Sequence, residues 1–313
     1  MNGVTRVAAI DCGTNSIRLL VADLPERDDA PLTDLVRRME IVRLGQGVDR
    51  TGRLAPAAIE RTRVVLADYT AVIRDLGATR TRMVATSATR DAENAAEFRD
   101  MVVATLGVAP DVATGEEEAT LSYSGAVRGL PRSAESPYLV VDIGGGSTEF
   151  IVGDAAVDRA VSIDIGCVRM TERHLHGDPP SAAEVAAAET DIAATVAGAL
   201  DAVGAARART LVGVAGSVTT VAALALGLDG YQPERIHHAR LSYDEVAKVC
   251  ADLLAMTREQ RLALPGMHPG RADVIGAGAL VLRVLMERAG ADAVIASEHD
   301  ILDGIAWSLA KIV

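Results

Sequence analysis

Short apolar runs alternate along this chain with longer segments in which apolar residues recur every three or four positions. The runs predict buried strands, and the clearest lie at Leu35–Leu44, Met83–Thr86, Ala160–Ile165 and Thr210–Val214. The periodic segments predict helices, and the clearest in the first half are Ala57–Leu76 after Pro56, Asp91–Leu106 and Glu116–Arg128. Strands that alternate with helices predict an α/β fold with a mixed sheet in each half of the chain.

One pattern of strand, small polar turn and second strand occurs twice. It begins at Val7 and again at Leu139, and the aspartate that ends its first strand, Asp11 or Asp142, recurs after 131 residues. Each copy reads as a hairpin, and the spacing matches the size of one domain. We therefore expect two similar domains, at 1–130 and 131–298, whose turns face each other across a cleft. The polar stretch Pro131–Pro137 is the expected boundary.

Composition restricts the class of protein. The chain has 313 residues, of which 49% are hydrophobic, and 31 Lys and Arg against 43 Asp and Glu give a net charge of −12. This balance argues against a nucleic-acid-binding face, which needs clustered cations. Three cysteines without a CxxC pair argue against disulfides and a cysteine metal site. With no secretory signal and no uninterrupted apolar span, we expect a cytoplasmic protein that binds neither nucleic acid nor membrane.

The second hairpin turn carries the strongest chemical signal. Its three glycines let consecutive amide hydrogens point outward as an anion-binding nest, and adjacent hydroxyls add further contacts. The predicted phosphate-binding residues of this second loop are Gly144, Gly145, Gly146, Ser147 and Thr148. Asp142, at the edge of the nest, is positioned to hold Mg²⁺. An ordinary tight turn is the alternative.

The matching first loop weakens that alternative, because two such turns in one chain favour phosphate binding. Its candidate residues are Asp11, Gly13, Thr14, Asn15 and Ser16. A third loop at Gly216 and Ser217 follows a strand and opens a helix, whose free amides form another anion site. An ordinary strand-to-helix turn explains the third loop equally well.

Other catalytic patterns do not occur. The chain has no G-x-x-x-x-G-K-[ST] segment, so a Walker-type nucleotide site is excluded. It has no G-x-S-x-G nucleophile elbow, and its six histidines lack the HExxH spacing of a zinc site.

The ordered set of motifs resembles the exopolyphosphatase and guanosine pentaphosphate phosphohydrolase (Ppx/GppA) family, in the actin, Hsp70 and sugar-kinase superfamily. The resemblance spans nearly the whole chain and rests on Asp11–Ser16, Thr86–Arg90, Gly115–Ala119, Asp142–Glu149, Ile165–Arg169, Gly216–Thr219, Leu264–Met267 and Arg271–Asp273. It implies two actin-like (ribonuclease H-like) α/β domains flanking an active-site cleft. It also implies that the last helix, at about 299–313, packs back on the first domain.

The resemblance assigns further roles. Glu118 matches the catalytic glutamate that orients or deprotonates the attacking water, although acidic residues in the first turn of a helix also serve its dipole. If the family motif were matched to this sequence one residue earlier, Glu117 would be assigned this role instead. Arg90 matches a ligand of substrate phosphates, and Glu149 joins Asp142 at the divalent metal, Mg²⁺ with Mn²⁺ as the alternative. Arg18, Arg169 and Arg271 are further candidates to offset the net negative charge beside a polyanion.

The implied activity is hydrolysis of the terminal phosphoanhydride of inorganic polyphosphate, releasing orthophosphate. Longer family members carry a further helical region, so we expect shorter polyphosphate chains to be favoured here. Hydrolysis of guanosine pentaphosphate at its 5′ end is the first alternative. A kinase of the same superfamily and a non-catalytic sensor of polyphosphate or alarmone are the others. A homodimer is expected by resemblance alone.

Overall fold

A computed structural model describes residues 5–27 and 30–311, which form two compact units. Unit 1 comprises Met1–Gly129 together with Ile301–Val313, and unit 2 comprises Leu130–Asp300. The expected helix at about 299–313 begins at Ile301, and its last two residues lie outside the described part of the chain. Among the described residues, no helix is both long and apolar enough to cross a bilayer.

Unit 1 contains a five-stranded mixed sheet with helices. Its strands are β1 (Arg6–Cys12), β2 (Ser16–Asp23), β3 (Thr33–Ile41), β4 (Arg80–Ala85) and β5 (Asp111–Val112). Its helices before the chain enters unit 2 are α1 (Val48–Thr51), α2 (Pro56–Leu76), α3 (Ser87–Arg90), α4 (Ala95–Leu106) and α5 (Gly115–Ala126).

Unit 2 contains a six-stranded mixed sheet. Its strands are β6 (Tyr138–Ile143), β7 (Thr148–Gly153), β8 (Val157–Ile163), β9 (Thr210–Val214), β10 (Arg240–Ser242) and β11 (Ala293–Ala296). Its helices are α6 (Cys167–His174), α7 (Ala182–Val203), α8 (Ala215–Ala225), α9 (Pro233–Ile236), α10 (Tyr243–Ala255), α11 (Arg258–Leu262) and α12 (Ile275–Ala289). Helix α13 (Ile301–Ser308) then belongs to unit 1, and short 3₁₀ turns lie at Ala205–Arg207 and Leu309–Lys311.

The two sheets share one strand order, as the internal repeat predicted. In unit 1 the order is β3-β2-β1-β4-β5, with β1 antiparallel to β2 and parallel to β4. In unit 2 the order β8-β7-β6-β9-β11 repeats it, and the short antiparallel strand β10 is added at the edge. Asp11 and Asp142 therefore lie at equivalent points, near the carboxyl ends of the first strands.

The cores explain why the first strands are apolar at nearly every position. In β1, Ala8 and Ile10 pack with α2 and α4, whereas Val7 and Ala9 pack with α13 on the opposite face. Successive side chains of a strand point to opposite faces, so a sheet covered on both sides needs apolar residues throughout. In unit 2, α12 is almost wholly buried and packs against α6, α7, α8 and α10.

One predicted strand ends earlier and one predicted helix begins later than expected, because hydrogen bonds hold the adjacent backbone in a different conformation. The strand expected to run to Leu44 ends at Ile41, since the amides of Val42 and Arg43 donate to the Asn15 carbonyl. The helix expected from Asp91 begins at Ala95, after the Asn94 side chain has bound both backbone groups of Leu54.

Candidate active site

The first loop is a closed turn between β1 and β2. The Gly13 amide donates to the Ser16 carbonyl at 2.9 Å, and the Thr14 hydroxyl lies 2.9 Å from the Ser87 hydroxyl in a buried contact. Asp11, at the end of β1, is buried and faces Arg18 on β2 in the ladder. The Arg18 guanidinium binds its carboxylate at 2.7 Å, so this aspartate already has a cation of its own.

Glu118 and Arg90 lie together in unit 1. The Arg90 Nη1 donates to the Glu118 carboxylate at 3.1 Å and to the Ala113 carbonyl at 3.0 Å. Arg90 ends α3, which follows β4, and Glu118 lies in the first turn of α5, which follows β5. Both side chains are thus placed near the carboxyl ends of parallel strands, where ligands of open α/β sheets bind.

The three consecutive glutamates of α5 have different environments. Glu117 closes a capping box with Thr114, in which each residue accepts a hydrogen bond from the amide of the other. Glu116 is exposed, whereas Glu118 is 7% exposed. Burial beside an arginine distinguishes Glu118 from both neighbours, and the helix cap accounts for the acidic residue at 117.

The second loop presents an amide nest. The carbonyl oxygens of Gly144 and Gly145 accept from the amides that open α6, and the Arg169 Nε donates to the Gly146 carbonyl at 2.6 Å. In a trans peptide the N–H points opposite to the C=O. The amide hydrogens of the three residues that follow these carbonyls therefore point away from α6, which is the arrangement that binds phosphate oxygens.

Hydroxyl groups of this loop have different roles. Thr148 is fully buried, and its hydroxyl donates to the Ile165 carbonyl at 2.7 Å. This bond uses the hydroxyl hydrogen and fixes the loop to the segment after β8, so the side chain has a structural role. Ser147, whose amide belongs to the nest, is the hydroxyl residue of the loop that remains a candidate phosphate ligand.

Asp142 and Glu149 form a pair of buried carboxylates. They occupy facing positions on β6 and β7, and residues directly opposite each other on antiparallel strands project to the same face. Asp142 is 5% exposed and Glu149 is fully buried. Ser162, opposite Glu149 on β8, donates its hydroxyl hydrogen to the glutamate Oε1 at 2.7 Å.

This donor set fits Mg²⁺. Two carboxylates close together in a buried site repel unless a cation or a proton accompanies them. Among the residues described, no group of three or more His, Cys, Asp and Glu side chains is arranged to hold a metal. Magnesium is commonly held by one or two carboxylates together with water and substrate phosphates, which is the kind of site that Asp142 and Glu149 can provide.

The side chain of Arg271 lies against the third loop. Gly216 lies against the Arg271 guanidinium, and a Cβ at position 216 would overlap that group. Arg271 also donates to the Thr220 hydroxyl at 3.2 Å within α8. Ser217 is buried beside Gly278. The Arg271 guanidinium thus lies beside the amino terminus of α8, and the anion site at Gly216 and Ser217 stays a prediction.

Buried thiols next to these loops are not nucleophiles. Burial raises the pKa of Cys12, and the nearby Asp11 carboxylate raises it further. Burial also raises the pKa of Cys167, against the opposing effect of a hydrogen bond with Ser217. Both side chains are therefore neutral thiols near pH 7.

Close contacts with glycines support each loop, and the sequence did not identify them. Gly45 packs on Thr14 of the first loop, Gly166 on Gly145 of the second and Gly278 on Ser217 of the third. In each case a Cβ would approach a loop atom too closely. The supporting residue lies 21 or more positions away in the sequence, so only the fold reveals it.

Comparison with known proteins identifies the family. The Ppx/GppA phosphatase family model matches residues 22–312. The chain is 52% identical to Exopolyphosphatase 2 of Mycobacterium tuberculosis, over 98% of this chain and 99% of that protein. It is 30% identical to the guanosine-5′-triphosphate,3′-diphosphate pyrophosphatase of Vibrio atlanticus, over 96% of this chain and 59% of that protein.

Solved structures agree with this assignment. The crystal structure of an Aquifex aeolicus Ppx/GppA family member is 31% identical, with a TM-score of 0.80 over 99% of this chain and 100% of that one. An exopolyphosphatase-like protein is 42% identical, with a TM-score of 0.93 over 97% of each chain. The expected α/β fold, with two units of similar strand order, is confirmed. This chain belongs to the Ppx/GppA phosphatase family.

Proposed function

We propose that this protein is an exopolyphosphatase, which removes the terminal phosphate of inorganic polyphosphate and releases orthophosphate. The observation that carries the proposal is the buried Glu118 carboxylate beside Arg90. A site that only bound phosphate would have no need for an acidic group beside its cation. The 52% identity to Exopolyphosphatase 2 over nearly the full length of both proteins supports the same substrate class.

Residues of unit 2 bind the substrate phosphates in this proposal. The nest amides of Gly145, Gly146 and Ser147 donate to phosphoryl oxygens, and Arg169 keeps the loop carbonyls turned away from the substrate. Asp142 and Glu149 hold the metal, with Ser162 fixing one oxygen of Glu149. Bound Mg²⁺ would neutralise charge on the phosphates and on the leaving oxygen.

Residues of unit 1 act on the water. Glu118 orients a water molecule toward the terminal phosphorus and accepts its proton as the new P–O bond forms. The bond from phosphorus to the bridging oxygen breaks, and the shortened polyphosphate leaves with the electron pair. The proton then passes to solvent or product phosphate. Arg90 holds Glu118 and donates to phosphoryl oxygens, so that charge developing during transfer is stabilised.

Hydrolysis of guanosine pentaphosphate is the second candidate. It is supported by the 30% identity to the Vibrio atlanticus pyrophosphatase, although this chain corresponds to only 59% of that protein. Both substrates end in a phosphoanhydride, so the same residues could act on either. The match over 99% of Exopolyphosphatase 2 favours polyphosphate.

Phosphate release from three substrates tests the proposal. Short polyphosphate, long polyphosphate and guanosine pentaphosphate are compared with Mg²⁺ and then Mn²⁺, at equal enzyme concentration. We expect kcat/KM to be highest for a polyphosphate, and higher for the short chain than for the long one. Preference for the pentaphosphate would assign the second candidate. Release that depends on an added acceptor would indicate a kinase, and binding without release would indicate a sensor.

A further inference from the structure

Helix α13 contacts the helix that carries Glu118. Gly304 of α13 lies against Leu121 of α5, three residues after Glu118. A Cβ at position 304 would fall 2.7 Å from the Leu121 carbonyl carbon and 3.0 Å from its Cα, and still closer to its carbonyl oxygen. These are backbone atoms, which cannot rotate away as a side chain can. The observed approach of the two helices therefore requires that position 304 has no side chain.

Helix α13 is held firmly on the sheet of unit 1. The Asp303 carboxylate, 3% exposed, accepts two hydrogen bonds from Arg37 of β3, at 2.6 and 3.2 Å. The hydroxyl of Ser308, the last residue of α13, accepts from Arg82, and the Leu309 carbonyl just beyond it accepts from Arg80. Because these bonds fix α13 to two strands, a group added at position 304 would displace α5 instead.

A second contact lies just after the C-terminal end of α5. The Arg128 guanidinium, two residues after α5 ends, lies 4.1 Å from the centre of the Trp307 ring, a cation–π contact. Gly304 and Trp307 are three residues apart on α13 and so lie on one face of it. Together they set the separation and direction of α5 relative to α13.

We propose that Gly304 is a positioning residue, which places the Glu118 carboxylate for water activation by setting the distance between α13 and α5. The inference rests on the proposed function, because it assigns Glu118 its role there. Glu118 lies one helical turn before Leu121, so a displacement of α5 at Leu121 moves Glu118 with it. Misplacement of a catalytic group by about 1 Å lowers turnover by about 100-fold.

The test compares Gly304→Ala with Gly198→Ala. Gly198 lies inside α7, where an added Cβ would meet no neighbouring heavy atom within 4 Å, so its substitution adds the same methyl group without a clash. We expect Gly304→Ala to lower kcat for polyphosphate by about 10- to 100-fold with KM within about 3-fold. Gly198→Ala should keep both constants. A folded Gly304→Ala protein with wild-type kcat would overturn the inference.

A double variant shows whether the effect passes through Glu118. In a Glu118→Gln background, Gly304→Ala should reduce the residual turnover by less than about 2-fold, because groups that act as a unit are not additive. An undiminished loss there would contradict the inference.

A folded wild-type protein that releases no phosphate would contradict the proposed function itself. If Gly304→Ala does not fold, Trp307→Leu should lower kcat by about 3- to 10-fold at constant KM, and an unchanged kcat would overturn the inference.

Discussion

Asp142 faces the carboxylate of Glu149 across the β6–β7 ladder, whereas the equivalent Asp11 faces the guanidinium of Arg18 across the β1–β2 ladder. The two hairpins have the same register, because the partners are seven positions apart in the sequence in each. In unit 1 an ion pair at 2.7 Å balances the aspartate. In unit 2 the position equivalent to Arg18 holds a second carboxylate, that of Glu149, instead of a guanidinium.

Magnesium is expected to stabilise the wild-type protein through this pair. Addition of Mg²⁺ should raise Tm, because a ligand that binds the folded state alone shifts unfolding by mass action. Glu149→Gln should abolish most of that rise, whereas the exposed Asp201→Asn should not. Thermal unfolding with and without Mg²⁺ measures this, and an equal rise for Glu149→Gln would argue against the assigned metal ligands.

Loss of the Arg18 guanidinium should destabilise unit 1. Arg18→Met removes the guanidinium that binds Asp11 and leaves that carboxylate buried, at a cost of about 3 kcal/mol in unfolding free energy. Arg18→Lys keeps the charge and should cost less, although one ammonium cannot replace both the Nε and the Nη2 of Arg18, which contact the Asp11 Oδ2 at 2.8 and 2.7 Å. Urea unfolding of the variants measures the difference. Equal stability of Arg18→Met and wild type would show that the pair contributes nothing.

Acid should weaken the start of α7. Glu184 accepts hydrogen bonds from the amides of His176, Gly177 and Ser181, with the Ser181 bonds as the main cause, and its pKa falls from 4.5 to about 2. A lowered folded-state pKa gives stability that is present above pH 4.5 and is lost as pH falls toward 2. Glu184→Gln should therefore be less stable than wild type at pH 7, and the gap should close near pH 2. A gap that stays constant with pH would contradict this account.

The sequence allowed prediction of what is local and repeated. The strand, turn and strand pattern located Asp11 and Asp142 and their loops. The family resemblance supplied Glu149, and the structure places it opposite Asp142. The Thr114-x-x-Glu117 spacing is a further local signal, that of a capping box, although no cap was predicted there, and it separates Glu117 from Glu118.

Contacts between residues that are distant in the chain could not be predicted from the sequence. That Thr148 would donate to Ile165, and that Gly166 would pack on Gly145, depends on how α6 returns to the second loop. The same holds for Gly304, which meets Leu121 only because the chain returns to unit 1 at Ile301. Residue type alone does not distinguish these glycines from Gly198, where an added Cβ would meet no neighbouring heavy atom within 4 Å.

In the proposed mechanism, Glu118 prepares the water for attack on the terminal phosphorus. The most direct measurement is single-turnover phosphate release from short polyphosphate by wild type and Glu118→Gln, together with the affinity of each for the substrate. We predict a loss in rate of at least about 100-fold with affinity within a few-fold, since glutamine keeps the size of the side chain but cannot accept the proton. An unchanged rate in a folded Glu118→Gln protein would contradict the account.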